Sequence, residues 1–432
     1  MKDTNPKLAG NQKAENTKKD QDKEPTLSAS FPGLVDLVDK DGEVVYLLME
    51  NGNLKVEESS VDSKGKLLLP PGKADLPFNL VPAKRVLHYF ENDKDEDLYN
   101  DILEALKKVA QLPLYPKEEY YHLVAVYIFF TYLQEEVSYF PYLWFQGLPE
   151  RGKSRIVKAI ANLCHRGLYT ETLNQAYIFR FADLLHGTLL IDVYDLLSSA
   201  QGKGSYDLLL GRYERGIKTP RVLGLDKGPF KDIVYFETAG PTVLATNVDI
   251  PVTDPLRGRC IRIMMPEARG IWANNNSPKD LMDFKTRLVA FRARHIGREL
   301  PVVEKLIPGR LGDITQPLLR TARLFPRRAS IPLMAVVKNL EKERKESQVE
   351  TLPGRIARTL HELKGEVEKG RLRVDTVIKK INSPGNVNYN EKVIGLELNN
   401  LGIQKIKTGG GRMHIVWESE TMERIWDRYG VC

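Results

Sequence analysis

The chain has 432 residues, which predicts two or three domains rather than one, and its 42% hydrophobic and 28% charged residues are ordinary for a soluble globular protein. A net charge of +7 is compatible with a nucleic-acid partner but does not require one. The three cysteines are far apart and odd in number, which excludes a disulfide framework and a cysteine metal site and favours a reducing cytosol.

Residues 1–28 are polar and rich in lysine, with almost no large apolar side chain. Such a segment cannot bury enough apolar surface to offset the entropy of ordering it, so we expect a disordered basic tail. It contains no apolar stretch of the signal-peptide type, so we expect a cytoplasmic protein. The tail either attracts polyanions weakly or serves only to keep the chain soluble.

A small β-rich module is predicted for residues 29–92. Asp41-Gly42 and Asn51-Gly52 separate short runs of alternating hydrophobicity. These dipeptides suit two-residue hairpin turns, which need left-handed backbone angles. The module should therefore contain antiparallel hairpins.

Two helices should follow this module. Residues 95–112 open with acidic side chains and repeat leucine and isoleucine at helical spacing. Residues 116–137 start with Pro116 and two glutamates, which suit a first helical turn. Within them, the run Tyr120–Leu133 is about fourteen residues long, whereas a membrane span needs roughly twenty. We therefore predict a buried helix and no membrane partner.

A glycine-rich stretch, GLPERGKS, lies between the apolar run FPYLWFQ and an amphipathic helix. Strand, glycine loop and helix form the context that a phosphate-binding loop requires, and the alternative is a chance cluster of small and charged residues. Lys153 is predicted to reach the β- and γ-phosphates of ATP, and the Ser154 hydroxyl to bind Mg²⁺. The predicted nucleotide contacts are Gly147, Leu148, Pro149, Glu150, Arg151, Gly152, Lys153, Ser154 and Arg155.

Short apolar runs alternate with helices up to about residue 265, which is the pattern of an α/β sheet domain. Leu189–Ile191 lead into Asp192, a predicted second ligand of Mg²⁺, because the carboxyl ends of parallel strands face the ligand crevice. Another run, GPTVLATN, ends in Thr246 and Asn247. Asn247 either orients the attacking water or is an ordinary residue at a strand end.

Two arginines, Arg257 and Arg259, precede a further apolar strand. An arginine beside a γ-phosphate stabilises the charge of the transition state, and it can come from the same subunit or from the next subunit of a ring. The alternative is that both arginines are simply surface charges.

Together, the phosphate loop, the acidic strand end, the polar strand end and the arginines resemble AAA+ and helicase-type P-loop ATPases. More closely, the chain resembles the ATPase part of primase–helicase proteins carried by phages, plasmids and other mobile elements. The similarity covers roughly residues 95–330 and includes Pro141–Leu143, GTLLID, a GP…LAT segment and PGRLGDITQPLL. It implies a P-loop core in residues 93–270, with a parallel sheet flanked by helices, and a helical region in residues 271–349.

One departure from this family concerns the catalytic base. The family usually follows the metal-binding aspartate with a glutamate that activates water, and here that position is Val193. Asp195 is the nearest substitute, and Glu171 and Glu237 are the other candidates. The remaining alternative is slow hydrolysis.

Residues 350–432 are predicted to form a winged-helix-like DNA-binding domain. Two short helices precede a hairpin with Gly409–Gly411 at its tip, and in such modules the second helix enters a major groove. A structural or protein-binding role is the alternative, and Trp417 and Trp426 should be core residues. The predicted phosphate contacts are Lys379, Lys380, Lys392, Lys405, Lys407 and Arg412.

The expected activity is that of an ATP- and Mg²⁺-dependent motor on single- or double-stranded DNA, a helicase or helicase-like replication ATPase of a mobile element. The resemblance also implies a homo-oligomer, such as a hexameric ring, and a primase as a separate partner. One alternative is an ATP-binding DNA switch or loader that hydrolyses ATP weakly, which Val193 favours. Another is a transcriptional regulator of the ATPase type.

Overall fold

The structure is a computed structural model. It describes residues 25–110, 118–222, 232–266, 278–325, 327–383, 388–409 and 411–431. The disordered tail predicted for residues 1–28 lies outside the described residues except at its end. There Thr26 and Leu27 pair with Leu68 and Leu69, so ordered backbone is present before residue 29.

The secondary structure is given in chain order. The strands are β1 (Thr26–Leu27), β2 (Leu34–Lys40), β3 (Glu43–Glu50), β4 (Asn53–Glu57), β5 (Ser60–Val61), β6 (Leu67–Leu69), β7 (Val81–Pro82), β8 (Tyr142–Gln146), β9 (Leu168–Thr170), β10 (Leu189–Asp192), β11 (Lys218–Val222), β12 (Ile233–Glu237), β13 (Thr242–Thr246), β14 (Cys260–Met264), β15 (Arg371–Arg373), β16 (Lys405–Lys407) and β17 (Met413–Val416). The α-helices are α1 (Ala83–Asn92), α2 (Asp95–Ala110), α3 (Glu119–Thr131), α4 (Lys153–Leu163), α5 (Gln175–Leu185), α6 (Leu196–Gly202), α7 (Tyr206–Gly211), α8 (Pro278–His295), α9 (Gly309–Ala322), α10 (Arg327–Val349), α11 (Leu352–Glu362), α12 (Val374–Ile381), α13 (Glu391–Asn400) and α14 (Ser419–Tyr429).

The N-terminal strands form a four-stranded sheet in the order β4-β3-β2-β7 and a three-stranded sheet in the order β1-β6-β5. Both predicted hairpin turns are present, one between β2 and β3 and one between β3 and β4. Asp41, Gly42, Asn51 and Gly52 all have positive φ, between 50° and 96°. These dipeptides therefore act as the sequence predicts, because only such angles let a two-residue turn follow the twist of its strands.

The central sheet has five parallel strands in the order β14-β8-β13-β10-β9. Every residue of β8 and β13 is buried, as expected for parallel strands that are covered on both faces. The helix α4 packs on one face, and α5 contributes to a separate apolar cluster on the other. The predicted α/β core with helices flanking a parallel sheet is confirmed. An antiparallel hairpin, β11–β12, is inserted between β10 and β13.

The apolar core extends beyond the predicted domain boundaries. One continuous cluster runs from Val35 in β2 to Leu340 in α10 and includes α3, which is buried from its second residue to its last. The boundaries predicted at 92/93 and 270/271 therefore fall inside a single core. In the part of the chain that the structure describes, no helix is both long enough and apolar enough to cross a membrane.

A buried ion pair and a buried arginine connect the N-terminal sheet to the rest of this core. Arg166, just before β9, donates to Asp36 of β2 at 2.7 Å, and both side chains are buried. Arg292 of α8 contacts both carboxylate oxygens of Glu135, at 2.6 and 2.7 Å, and also donates to the carbonyl of Val35. Burial alone would raise the pKa of Glu135, but Arg292 lowers it to about 2. The buried Arg292 guanidinium thus keeps this partly accessible carboxylate charged.

The C-terminal residues have a core of their own, built from α11 to α14 and a three-stranded antiparallel sheet in the order β15-β17-β16. The order along the chain is one helix, one strand, two helices, a hairpin and a last helix. Trp426 is buried and Trp417 packs against the same cluster, so both are core residues as predicted.

Replacing Asp36 with alanine should lower the free energy of unfolding by about 3–5 kcal/mol, because the buried Arg166 guanidinium loses its counter-charge. Glu58→Ala is the control, since its ion pair with Lys40 is exposed and should contribute less than about 1 kcal/mol. Urea unfolding followed by intrinsic fluorescence measures both changes. Equally small losses in the two variants would contradict the role given to the buried pair.

Candidate functional site

The glycine loop joins the carboxyl end of β8 to the first turn of α4. Gly152 has φ of 76° and precedes the helix, so a side chain there would be strained. A Cβ on Gly147 would lie 3.2 Å from both Cβ and the carbonyl oxygen of Met265, so a side chain there would be tight and Met265 would have to shift by a few tenths of an ångström. Residues 150–155 line an open cleft of about 340 Å³ at the head of α4. Helix amides and basic side chains there can hold an anion.

Lys153, the lysine predicted to reach the phosphates, is buried against its own loop. Its side chain is 6% exposed, and its ammonium donates to the carbonyls of Gly147 and Leu148 at 2.8 and 2.7 Å. Burial lowers the pKa of Lys153, and the nearby charge of Asp192 opposes this. The lysine thus holds the loop together, and a phosphate would compete with these two carbonyls for its protons.

The parallel register brings the predicted strand-end residues to one edge of the sheet. Gln146 pairs with Thr246, and Asp192 pairs with Ala245, so Gly147, Asp192 and Asn247 all lie at or just beyond the carboxyl ends. The Thr246 hydroxyl already has two partners: it accepts from the Trp144 indole at 2.9 Å and donates to the carbonyl of Val248 at 2.9 Å. Asn247 is therefore the half-buried polar residue at this strand end.

Beside Asp192 lies a contact that the sequence analysis missed. The Tyr169 hydroxyl is 2.8 Å from an Asp192 carboxylate oxygen and 2.9 Å from one of Glu171. Burial and these two carboxylates raise the pKa of Tyr169, so its hydroxyl stays protonated. The sequence signal for this contact is that Tyr169 and Glu171 are two residues apart in an extended segment. That spacing places both side chains on the same face of the sheet.

The other candidate bases have different surroundings. Asp195 caps α6, where its carboxylate accepts from the amide and the hydroxyl of Ser198 at 3.1 and 2.7 Å. The bond from the Ser198 hydroxyl lowers the pKa of Asp195, which weakens it as a proton acceptor. Glu237 belongs to β12, five residues before β13 begins, and its amide donates to Asp183 near the end of α5. That position is at the amino edge of the sheet. Val193 packs against the apolar cluster opposite α4.

Both predicted arginines lie away from the loop of their own chain. Cys260 pairs with Tyr142, five residues before Gly147, so Cys260 lies roughly 16 Å from the start of the glycine loop at the usual rise of a strand, and Arg259 lies one residue further away. Its guanidinium stacks 4.4 Å from the Tyr213 ring centroid. Arg257 pairs with Asp249 at 2.8 Å and lies over the ring of Trp144, on the face opposite α4. Neither arginine is placed to contact a phosphate in its own subunit.

The donors available for a divalent cation are the exposed Ser154 hydroxyl and the Asp192 carboxylate. Both are hard oxygen ligands, which fit Mg²⁺ bound by one or two protein groups, water and substrate phosphates. Within the described ranges, no group of three or more His, Cys, Asp or Glu residues could hold a metal by itself. The donor set therefore suits a cation that arrives with a phosphate ligand.

The basic residues predicted to contact DNA fall into two groups. Lys405 donates to the carbonyl of Gly395 at 2.6 Å, and Lys380 pairs with Glu362 at 3.3 Å, so both have partners within the domain. The remaining four are exposed: Lys379, Lys392, Lys407 and Arg412. The helix α13 also exposes Val393 and Leu396, which are 48% and 61% accessible.

No family model and no curated protein matches the chain. Among solved structures it is similar to the C-terminal region of NrS-1 in an apo form, with 10% identity, 89% of this chain and 96% of that chain covered, and a TM-score of 0.38. It is also similar to SCCmec type IV Cch, an active helicase, with 10% identity, coverage of 93% and 81%, and a TM-score of 0.38. A full-length MCM homolog from Methanopyrus kandleri has 12% identity, coverage of 70% and 72%, and a TM-score of 0.38. Likeness of this degree transfers no ligand or activity, so function is argued from the site itself.

Lys153→Ala should abolish binding of a fluorescent ATP analogue and lower the free energy of unfolding by about 1 kcal/mol, because two buried hydrogen bonds to loop carbonyls are removed. Lys203→Ala, at an exposed position directly after α6, is the matched control and should change neither quantity. Titration of the analogue and thermal unfolding give the two readouts. Unchanged analogue affinity in a folded Lys153→Ala protein would contradict the assignment of the loop.

Proposed function

We propose that this chain is an ATP- and Mg²⁺-dependent motor on DNA, a helicase or helicase-like replication ATPase of a mobile element. The proposal rests chiefly on one observation: the lysine-bearing glycine loop and the Asp192 carboxylate meet at the carboxyl edge of a parallel sheet. That edge is where open α/β sheets bind their ligands.

In this proposal each site residue has a defined task. The loop amides and the head of α4 bind the phosphates, and Lys153 exchanges its loop carbonyls for phosphate oxygens. The Ser154 hydroxyl and the Asp192 carboxylate hold Mg²⁺, which supplies charge stabilisation to the phosphates when it is bound. Asn247 lies at the end of the neighbouring strand and orients the attacking water.

A second candidate function is an ATP-binding DNA switch or loader with weak hydrolysis. It is favoured by Val193, whose side chain packs on an apolar cluster where the related ATPases usually carry an acid. An ATPase assay with and without DNA, run beside a strand-displacement assay, separates the two. Turnover stimulated by DNA and coupled to displacement supports the motor, whereas ATP binding without displacement supports the switch. Preference for one duplex sequence would instead favour an ATPase-type regulator.

The position of Arg257 and Arg259 favours a role in a neighbouring subunit of a homo-oligomer, such as a hexameric ring. Arg259→Ala should then leave ATP-analogue binding near normal but suppress hydrolysis, since a trans arginine is worth roughly 10³-fold or more. Mixing Arg259→Ala with Lys153→Ala protein should restore part of the activity at mixed interfaces. Arg257→Ala is tested in parallel. An absence of rescue at every mixing ratio, with assembly intact, would contradict the trans role.

The C-terminal domain is proposed to be a winged-helix-like module that grips DNA through phosphates, with β16–β17 as the wing. Lys407→Ala with Arg412→Ala should reduce the magnitude of the log–log salt slope of DNA binding by about 0.9 for each DNA phosphate that the protein no longer neutralises. Lys342→Ala with Lys345→Ala on α10 is the control pair, since both lysines already face glutamates of their own helix. Slopes are measured by fluorescence anisotropy on the full chain.

An unchanged slope in the Lys407 and Arg412 double variant would contradict DNA binding through this hairpin. The exposed Val393 and Leu396 on α13 would then favour a protein-docking role for the domain. A separate primase is the partner proposed for a replication ATPase of this kind.

A further inference from the structure

We propose that Glu171 is the general base that activates the attacking water, a role that Val193, the residue after Asp192, cannot fill. In this proposal Tyr169 positions the carboxylate of Glu171. This inference rests on the proposed ATPase function and adds to it the residue that accepts the proton. The catalytic carboxylate thus comes from the strand beside the metal-binding strand rather than from the metal-binding strand itself.

The register of β9 and β10 places Glu171 beside Asp192. Leu190 pairs with Tyr169 and Ile191 pairs with Thr170, so Glu171 follows directly as the neighbour of Asp192 at the strand end. Alternation along the strands puts Tyr169, Glu171 and Asp192 on the face that carries α4, because Leu190 belongs to the cluster on that face. Val193 points to the opposite face. Glu171 therefore shares a face with the lysine of the loop, and Val193 does not.

The contact through Tyr169 fixes the distance between the two carboxylates. Hydrogen bonds of 2.8 and 2.9 Å to one hydroxyl keep the facing oxygens within about 6 Å of each other. A phenol has one proton, so it can donate to only one of these carboxylates at a time. When Asp192 holds a cation, Tyr169 is left to orient Glu171. The ammonium of Lys158 lies 4.9 Å from the Tyr169 ring centroid and adds positive charge beside the pair.

The other acids are less well placed for this task. The Asp195 carboxylate is occupied by Ser198 at the start of α6, and Glu237 lies at the amino edge of the sheet. Glu171 is exposed at the carboxyl edge, where water can reach it. Of the three candidate acids, Glu171 alone combines access to water, the correct edge of the sheet and a hydrogen-bonded link to Asp192 through Tyr169.

The proposed step is a balanced displacement. The water oxygen forms a bond to the γ-phosphorus, and the bond from that phosphorus to the β,γ-bridging oxygen breaks, with its electron pair leaving on ADP. One water proton passes to Glu171, which later releases it to solvent. The products are ADP and phosphate, and no further reactant is required.

The test compares Glu171→Gln, Tyr169→Phe and the control Glu346→Gln, an exposed glutamate of α10, in the full chain. Glu171→Gln should keep or increase affinity for a fluorescent ATP analogue with Mg²⁺ while kcat falls roughly 10²–10⁴-fold, the usual worth of a general base. Tyr169→Phe should lower kcat roughly tenfold with little change in KM, as expected for loss of an orienting hydrogen bond. Glu346→Gln should match the parent in both measurements.

The outcomes separate this inference from the proposed function. If the parent hydrolyses ATP, Lys153→Ala does not, and Glu171→Gln turns over at the parental rate, the role of Glu171 is refuted and the ATPase stands. Loss of turnover in Asp195→Asn alone would move the role to Asp195. A parent that neither binds nor hydrolyses ATP would overturn the proposed function itself. A loss of analogue affinity in Glu171→Gln that matches its loss of turnover would overturn a role in activating water.

Discussion

The arrangement of this protein depends on the parallel pairing of β8, β13 and β10. Because every strand of the central sheet points the same way, their carboxyl ends form one edge, and each of these three strands leads into a residue suited to phosphate chemistry. The insertion of β13 between β8 and β10 separates the glycine loop from Asp192 by one strand, about 10 Å across the sheet. That gap is of the size that a phosphate group with its cation spans.

The face of the central sheet on which a side chain lies decides, together with the edge, whether it can reach the site. Side chains alternate along each strand, so Trp144 and Arg257 lie on one face, while Tyr169, Asp192 and the loop lysine lie on the other. Val193 packs on the face opposite the loop lysine, whereas Glu171, which follows the adjacent strand, lies on the side of the lysine. A carboxylate on the adjacent strand reaches the same side of the sheet, whereas a side chain one position along the same strand points away.

Burial of charge connects the site to distant parts of the chain. Arg166 precedes β9 and pairs with Asp36 of the N-terminal sheet, and Arg292 holds Glu135 after α3. Each of these arginines also bonds backbone carbonyls, so little of their hydrogen-bonding capacity is unused. Removing one partner from such a pair leaves an unpaired charge in a medium that solvates it poorly, and this costs free energy. The pair of Arg166 and Asp36 therefore holds the N-terminal sheet against the strand that bears Tyr169. The N-terminal sheet therefore packs on the same apolar core as the strands that carry the site.

The elements that could be predicted from the sequence are those that neighbouring residues dictate. The turn dipeptides at Asp41-Gly42 and Asn51-Gly52, the long apolar run of α3 and the glycine loop before α4 could all be recognised because neighbouring residues dictate them. Residue order also identified Asp192, because a strand end can be predicted from the apolar run that leads into it.

The sequence alone could not decide the pairings between distant segments. Strand order, the face each side chain occupies and the partners of buried charges depend on contacts between segments far apart in the chain, and composition and periodicity contain no information about them. The position of Glu171 beside Asp192, and of Arg259 far from its own loop, were for this reason settled only by the tertiary structure.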